Sequence, residues 1–182
     1  MRASDKSKLL VLDLDETLIH SCHEPLGRQC DFKTGDYFTY KRNNLDYFLI
    51  RCSRFFKMAV WTSSSSEYAA RIVEKVFPEK AELEFIFSSS RCTPRWDHFR
   101  SEQYVVKPIK KIQKRGFKRQ DIIIIDDDPR TFSGNYGNAI QVKKFLGQQN
   151  DDELVLLLKY LMLLRDCSDV RRTDKRSWRQ MA

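Results

Sequence analysis

The sequence predicts an α/β fold, a central parallel sheet covered by helices on both faces, and three observations carry that prediction. Short runs of Leu, Val and Ile, at residues 9–12 and 122–125, have no polar interruption, as expected for strands buried on both faces. Segments with apolar residues at helical spacing alternate with these runs, at residues 45–55, 69–77 and 154–164. Carboxylates or hydroxyls follow directly where the runs end, the place where open α/β sheets bind their ligands. Strands alternating with helices need right-handed crossovers, so the expected architecture is a Rossmann-like three-layer sandwich.

The first strand lies in KLLVLDLDETLIH, residues 8–20. Side chains at i and i+2 of a strand project the same way, so Asp13 and Asp15 both face the region beyond its carboxyl end, with Thr17 close behind. Two like charges this close require a cation, a shared proton or open water. Residues 31–40, DFKTGDYFTY, set turn residues between aromatic and threonine-rich flanks and predict a small hairpin. His20, Cys22, His23 and Cys30 lie near one another in sequence, but their spacing matches no usual zinc finger or ribbon. Leu45, Phe48, Leu49, Cys52 and Phe55 recur as the core face of a helix.

A second strand, FKMAVW at 56–61, ends at Thr62. Ser64-Ser65-Ser66-Glu67 fits a capping box for a helix that turns Ala69, Ile72, Val73, Val76 and Phe77 inward and stops before Pro78. A hydroxyl at a strand end before a helix N-terminus suits a phosphate, because free backbone N–H groups and the dipole favour an anion. The same hydroxyl can instead serve only the turn. Residues 84–87 predict a third strand. Residues 88–104, with Arg91, Arg95, Trp96, His98 and Arg100, read as a surface loop of the kind that carries substrate contacts.

Residues 105–117 predict a helix with Val106, Ile109 and Ile112 inward and Pro108 in its first turn. Residues 107–119 hold seven Lys or Arg and no acid. That suits nucleic-acid phosphates, although a solvated helix face is the commoner outcome. Lys107 differs in standing at the start of the run, beside the preceding loop. DIIIIDDDP at 121–129 repeats the pattern of the first strand, with Asp126, Asp127 and Asp128 where it emerges. Acids after two strands predict a shared divalent-cation site, and oxygen-rich carboxylate sites suit Mg²⁺. NYGN at 135–138 is a turn and residues 139–142 a last strand. Leu154, Leu157, Leu158, Leu161 and Leu164 line a closing helix. The basic residues after Asp169 are expected to form a partly mobile tail.

The length of 182 residues suits one domain, residues 1–168, followed by the basic tail 169–182. Hydrophobic residues at 41% and charged residues at 32% exclude a disordered chain. The formal charge of +8 favours acidic partners or substrates without choosing among them. Five cysteines, with no C-x-x-C and no apolar leader, predict reduced thiols in a cytoplasmic protein, or a nuclear one if the source is eukaryotic. The longest apolar stretch, residues 154–164, contains Lys159 and is too short to span a bilayer. A soluble monomer with no membrane partner is expected.

The combination resembles a known group. DLDET at 13–17, WTSS at 61–64, Lys107 and DDDP at 126–129 match, in order, the four motifs of haloacid-dehalogenase-type phosphatases. DLDETLIH, YKR at 40–42, VWTSSSSEYA, NYGNAI and the D-x-E-L near 152–154 look like the FCP/SCP branch, the NLI-interacting-factor-like phosphatases, over residues 8–164. The resemblance implies a haloacid-dehalogenase fold with no large cap domain and a Mg²⁺-dependent phosphomonoesterase. It implies Asp13 as nucleophile, forming an aspartyl-phosphate, and Asp15 as general acid and then base, positioned by Thr17. Asp13, the main-chain carbonyl of Asp15 and Asp127 would bind the ion, with Asp126 in support. Lys107 would hold Asp13 and the phosphate; Thr62, with Ser63 beside it, would bind phosphate oxygens; and Tyr68 matches a substrate-facing tyrosine. The sequence departs from the family pattern at Asp127, often Asn, at Pro108, often Asp, at Asn43-Asn44, and at His23, near an aromatic position. The implied substrate is phosphoserine or phosphothreonine in a protein. A phosphatase of nucleic-acid ends or small phosphate esters, and a non-catalytic basic binding module, are the alternatives.

Overall fold

A computed structural model of the chain describes residues 7–79 and 81–182, so the first six residues of the expected domain lie outside the described residues. In chain order the strands are β1 (Leu9–Leu12), β2 (Ile19–Cys22), β3 (Phe32–Thr34), β4 (Tyr37–Lys41), β5 (Lys57–Trp61), β6 (Leu83–Phe87), β7 (Thr93–Asp97), β8 (Glu102–Val106), β9 (Ile122–Asp126) and β10 (Ala139–Gln141). The helices are α1 (Leu45–Phe55), α2 (Ser66–Val76), α3 (Lys110–Gln113) and α4 (Glu153–Arg165).

The apolar runs form a five-stranded sheet in the order β10-β9-β1-β5-β6, and every pairing in it is parallel. β1 is central, with Leu12 opposite both Val60 and Ile125. Alternation along the strands divides the core. Leu10 and Leu12 pack with residues of α1, α2 and α4, whereas Leu9 and Val11 pack with Ile109 and Ile112 beside α3. Two helical layers therefore cover one sheet, as the sequence predicts. Because β1, β5 and β9 are in register, the residues that follow them emerge at one level.

Two small sheets flank that end. β2, β4 and β3 form an antiparallel sheet that contains the expected hairpin at 31–40. β7 and β8 form a second hairpin where a loop is expected. The expected helix over 105–117 shrinks to α3, because Tyr104-Val105-Val106 belongs to β8 and pairs with Thr93 to Arg95. Tyr and Val favour strands, and Pro108 biases the preceding Lys107 away from the helical region, so no helix starts before Pro108. Ile109 and Ile112 are buried as expected.

The residues after Asp169 do not stand apart from the core. Val170 and Trp178 are buried in the cluster that also holds α1 and α4, and the Trp178 indole N–H donates to the Gln141 carbonyl at 3.0 Å. Arg179 pairs with the buried carboxylate of Glu153. All five cysteines are free thiols. Among the described residues, no helix is long and apolar enough to cross a membrane.

Candidate active site

At the carboxyl ends of β1 and β9, Asp13 and Asp126 face each other across one ammonium group. Lys107 Nζ donates to Asp13 Oδ1 at 2.6 Å and to Asp126 Oδ2 at 2.7 Å, and all three side chains are buried. Burial opposes a charged lysine, but Asp126 and Asp13 outweigh it and hold Lys107 above its ordinary pKa. Burial also pushes the Asp13 carboxyl well up; Lys107 opposes that rise, while Asp126 and Asp15 add to it. Asp126 Oδ1 accepts the main-chain N–H of Asp128 at 3.0 Å, which occupies its second oxygen.

Asp13, Asp126 and Asp127 each offer an oxygen within 4.8 Å of the others. Asp127 is held by Thr17, whose hydroxyl donates to its Oδ1 at 3.3 Å. Burial, with Asp126 adding, lifts the Asp127 carboxyl to about 6. Three carboxylates with one ammonium leave uncompensated negative charge, and the donors are all hard oxygens. That donor set fits a divalent cation of the Mg²⁺ class.

Asp15 sits in a different environment. Its Oδ1 accepts the Tyr68 hydroxyl at 2.6 Å and its Oδ2 accepts the Ser64 hydroxyl at 2.8 Å. The Tyr68 oxygen, its one proton given to Asp15, accepts from the Ser21 hydroxyl 2.9 Å away, tying α2 to β2. Burial and then the Asp15 charge push the Tyr68 phenol well above its ordinary pKa, so it stays a donor. One expectation changes here: Thr17 reaches Asp127 rather than Asp15. Tyr68, matched to a substrate-facing tyrosine, turns its hydroxyl to Asp15. The helix cap also moves by one residue: Ser65 Oγ accepts the Tyr68 main-chain N–H at 3.2 Å, which frees the Ser64 hydroxyl for Asp15. Asp15's carboxylate is outside the three-acid group.

Thr62 is buried after β5, and its Oγ1 accepts the Ser64 main-chain N–H at 3.0 Å. Asp13, Asp15, Thr62, Ser63, Lys107 and Asp126 share a pocket of about 430 Å³. Residues of β8 form its far wall. Arg130 latches that wall, donating to Glu102 at 2.6 Å and to Asp128 at 3.0 Å. Tyr68 is outside the lining and meets Tyr37 edge-on, with ring centroids 6.2 Å apart; His23 lies against Tyr37 at 4.2 Å. His20 is engaged with Glu16.

Sequence reasoning missed Ser64, Ser21 and the Arg130–Glu102 latch. It also missed the support under the first motif. Arg42, fully buried, makes paired bonds of 2.8 Å to Asp151 and donates to the Thr17 carbonyl at 2.9 Å. YKR and D-x-E-L were the available signals, because one supplies Arg42 and the other Asp151.

Comparison with known proteins agrees with this geometry. "CTD nuclear envelope phosphatase 1" of Xenopus laevis is 30% identical over 190 residues, covering 96% of this chain and 74% of the relative. "Nuclear envelope morphology protein 1" of Saccharomyces cerevisiae is 30% identical over 184 residues, 92% of this chain but 41% of the relative, so the chain spans less than half of that protein. The solved structure of Fcp1, described as an essential RNA polymerase II CTD phosphatase, shares the fold with a TM-score of 0.58 at 17% identity, over 96% of this chain and 60% of that one. An uncharacterized protein from Listeria monocytogenes serotype 4b does so at 0.59 and 16%, over 88% and 99%. The sequence profile of the NLI interacting factor-like phosphatases matches residues 8–171, and the chain belongs to that family.

Proposed function

We propose that the chain is a Mg²⁺-dependent phosphomonoesterase that works through an aspartyl-phosphate on Asp13 and acts on phosphoserine or phosphothreonine in proteins. The observation that carries this reading is the Lys107 ammonium bonded to both Asp13 and Asp126 in a pocket that also holds Asp15 and Thr62. A carboxylate nucleophile is repelled by a phosphate dianion, so positive charge must be fixed beside it. Lys107 supplies one such charge. A Mg²⁺ ion held by Asp13 and Asp127, with the Asp15 main-chain carbonyl and with Asp126 in support, would supply the rest of the charge neutralisation.

An Asp13 oxygen attacks phosphorus in line, and the bond from phosphorus to the ester oxygen breaks. Asp15 gives its proton to the leaving alkoxide. Asp15 then takes a proton from water, whose oxygen attacks phosphorus, and the bond to Asp13 breaks to release phosphate and restore both carboxyl groups. Thr62 and Ser63 orient the phosphate, while Tyr68 and Ser64 hold Asp15 in place to serve both steps. Among the described residues no large inserted domain covers the pocket, which suits an ester carried on a protein segment. The relatives' names, which speak of a phosphatase and of the nuclear envelope, support carrying phosphatase activity and a nuclear setting to this chain.

The test is hydrolysis of p-nitrophenyl phosphate with Mg²⁺, with EDTA, and by Asp13→Asn, followed by phosphopeptides against 3′- and 5′-phosphorylated oligonucleotides. Turnover that requires Mg²⁺, is lost in Asp13→Asn and favours phosphopeptides is expected. Turnover that survives in Asp13→Asn refutes the nucleophile. A preference for oligonucleotides refutes the substrate class.

A further inference from the structure

Beside the catalytic pocket lies a larger groove of about 860 Å³, and Asp127 lines both. The loop after β9, the edge strand β10 and the C-terminal segment build it. Its floor is apolar, with Phe132, Val142 and Trp178 all buried. Five cations line it, against two carboxylates, Asp127 and Asp174. Two of the five are engaged elsewhere: Arg179 pairs with Glu153, and Lys175 donates to the main-chain carbonyls of Val170 and Thr173. Lys143, Lys144 and Arg176 are exposed at the rim, and none of them has an ion-pair partner among the described residues.

We propose that this groove binds an anionic side chain, a second phosphate or a carboxylate, on the same protein segment whose phosphoester enters the catalytic pocket. The inference rests on the phosphatase reading above and deepens it. Three unpaired cations over an apolar floor match an anionic residue with an apolar neighbour, and the charges that would meet it are not neutralised within the chain. Continuity through Asp127 allows one extended segment to occupy both sites. The densest basic run, residues 107–119, contributes nothing to the groove lining. The groove therefore offers a small set of three unpaired cations, whereas a nucleic-acid backbone tracks a longer stripe.

The discriminating variant is the double charge reversal K143E/R176E, which leaves Lys144 and every residue of the catalytic pocket in place. Substrates are a phosphoserine peptide, the same peptide with a second phosphoserine or an aspartate at a series of offsets, and p-nitrophenyl phosphate. The wild-type chain is expected to show a KM roughly tenfold lower for the doubly anionic peptide at a favoured offset. K143E/R176E loses that preference and hydrolyses p-nitrophenyl phosphate at the wild-type rate. K110E/K114E, with the same charge change outside the groove, keeps the preference. Comparing the phosphoserine with the aspartate peptides tells which anion the groove reads. Absence of the preference in the wild type, its loss in K110E/K114E, or an equal fall on p-nitrophenyl phosphate overturns the proposal. So does a single-stranded oligonucleotide that competes more strongly than the doubly phosphorylated peptide. If no ester is hydrolysed, the phosphatase reading fails on its own. Fluorescence anisotropy of the same peptides on the wild type and K143E/R176E then decides the groove: tenfold weaker binding to the variant supports it and equal binding refutes it.

Discussion

Tyr68→Phe removes one oxygen and tests whether that tyrosine serves Asp15 or the substrate. The lost hydroxyl makes a 2.6 Å bond to Asp15 Oδ1 and a 2.9 Å bond to Ser21. A hydrogen bond to a charged group contributes about 1.5–3 kcal/mol, but Ser64 still holds Oδ2 at 2.8 Å, so the lower end applies. A loss of about 1.4 kcal/mol in the transition state is roughly tenfold in rate. The assay compares kcat and KM on three substrates: p-nitrophenyl phosphate, a small alkyl phosphate and a phosphoserine peptide. If Tyr68 positions Asp15, kcat falls about tenfold on the alkyl phosphate and the peptide alike. The fall on the aryl ester is smaller, because its leaving group needs less proton assistance. Tyr68→Phe combined with Ser64→Ala should fall well below either variant alone. A raised KM on the peptide only, with the alkyl phosphate unchanged, would refute the positioning role and return Tyr68 to substrate recognition.

Two further predictions concern the scaffold. Arg42→Met strands Asp151 and frees the Thr17 carbonyl; breaking one side of a buried pair costs about 3–5 kcal/mol, and at about 2–4 °C per kcal/mol for a chain of this size Tm falls by roughly 6–20 °C. A change under about 1 kcal/mol in urea unfolding would mean that Arg42 and Asp151 are not the buried pair described. Trp178→Ala should cost roughly 3–5 kcal/mol, as for large aromatics in a core, whereas a detached tail would make the substitution silent in the same unfolding measurement.

The parallel sheet and its motif residues were legible because strands buried on both faces leave an uninterrupted apolar run. Residues 9–12 and 122–125 carry that signal whatever surrounds them, and the residues that follow must emerge at the ligand-binding end. The β7–β8 hairpin carries no such signal. It is solvated on much of its surface, so Arg95, Trp96 and Gln103 show no core face. The four serines 63–66 could not be ranked from sequence either. Which hydroxyl caps α2 and which reaches Asp15 depends on how α2 sits over the end of β1, a tertiary fact. The C-terminal segment hid its anchors, because the buried Val170 and Trp178 stand among basic residues that by composition read as solvated.

Pro108 shows how a departure from the family pattern can still serve the same geometry. A lysine buried to about 1% exposure gives up side-chain freedom worth about 2 kcal/mol, so both ends of it have to be fixed. Its ammonium is fixed by Asp13 and Asp126. Its main chain is fixed by the loop after β9: the Lys107 N–H donates to the Thr131 carbonyl at 2.6 Å, and its carbonyl accepts the Asn135 amide at 3.3 Å. Proline at 108 disfavours the helical conformation at Lys107 and forms no competing N–H bond of its own. The residue therefore follows β8 outside any helix, its ammonium set between the sheet ends, and α3 starts only after it. A substitution that reads as a helix start in sequence acts here to end the strand and hold the lysine between the two carboxylates.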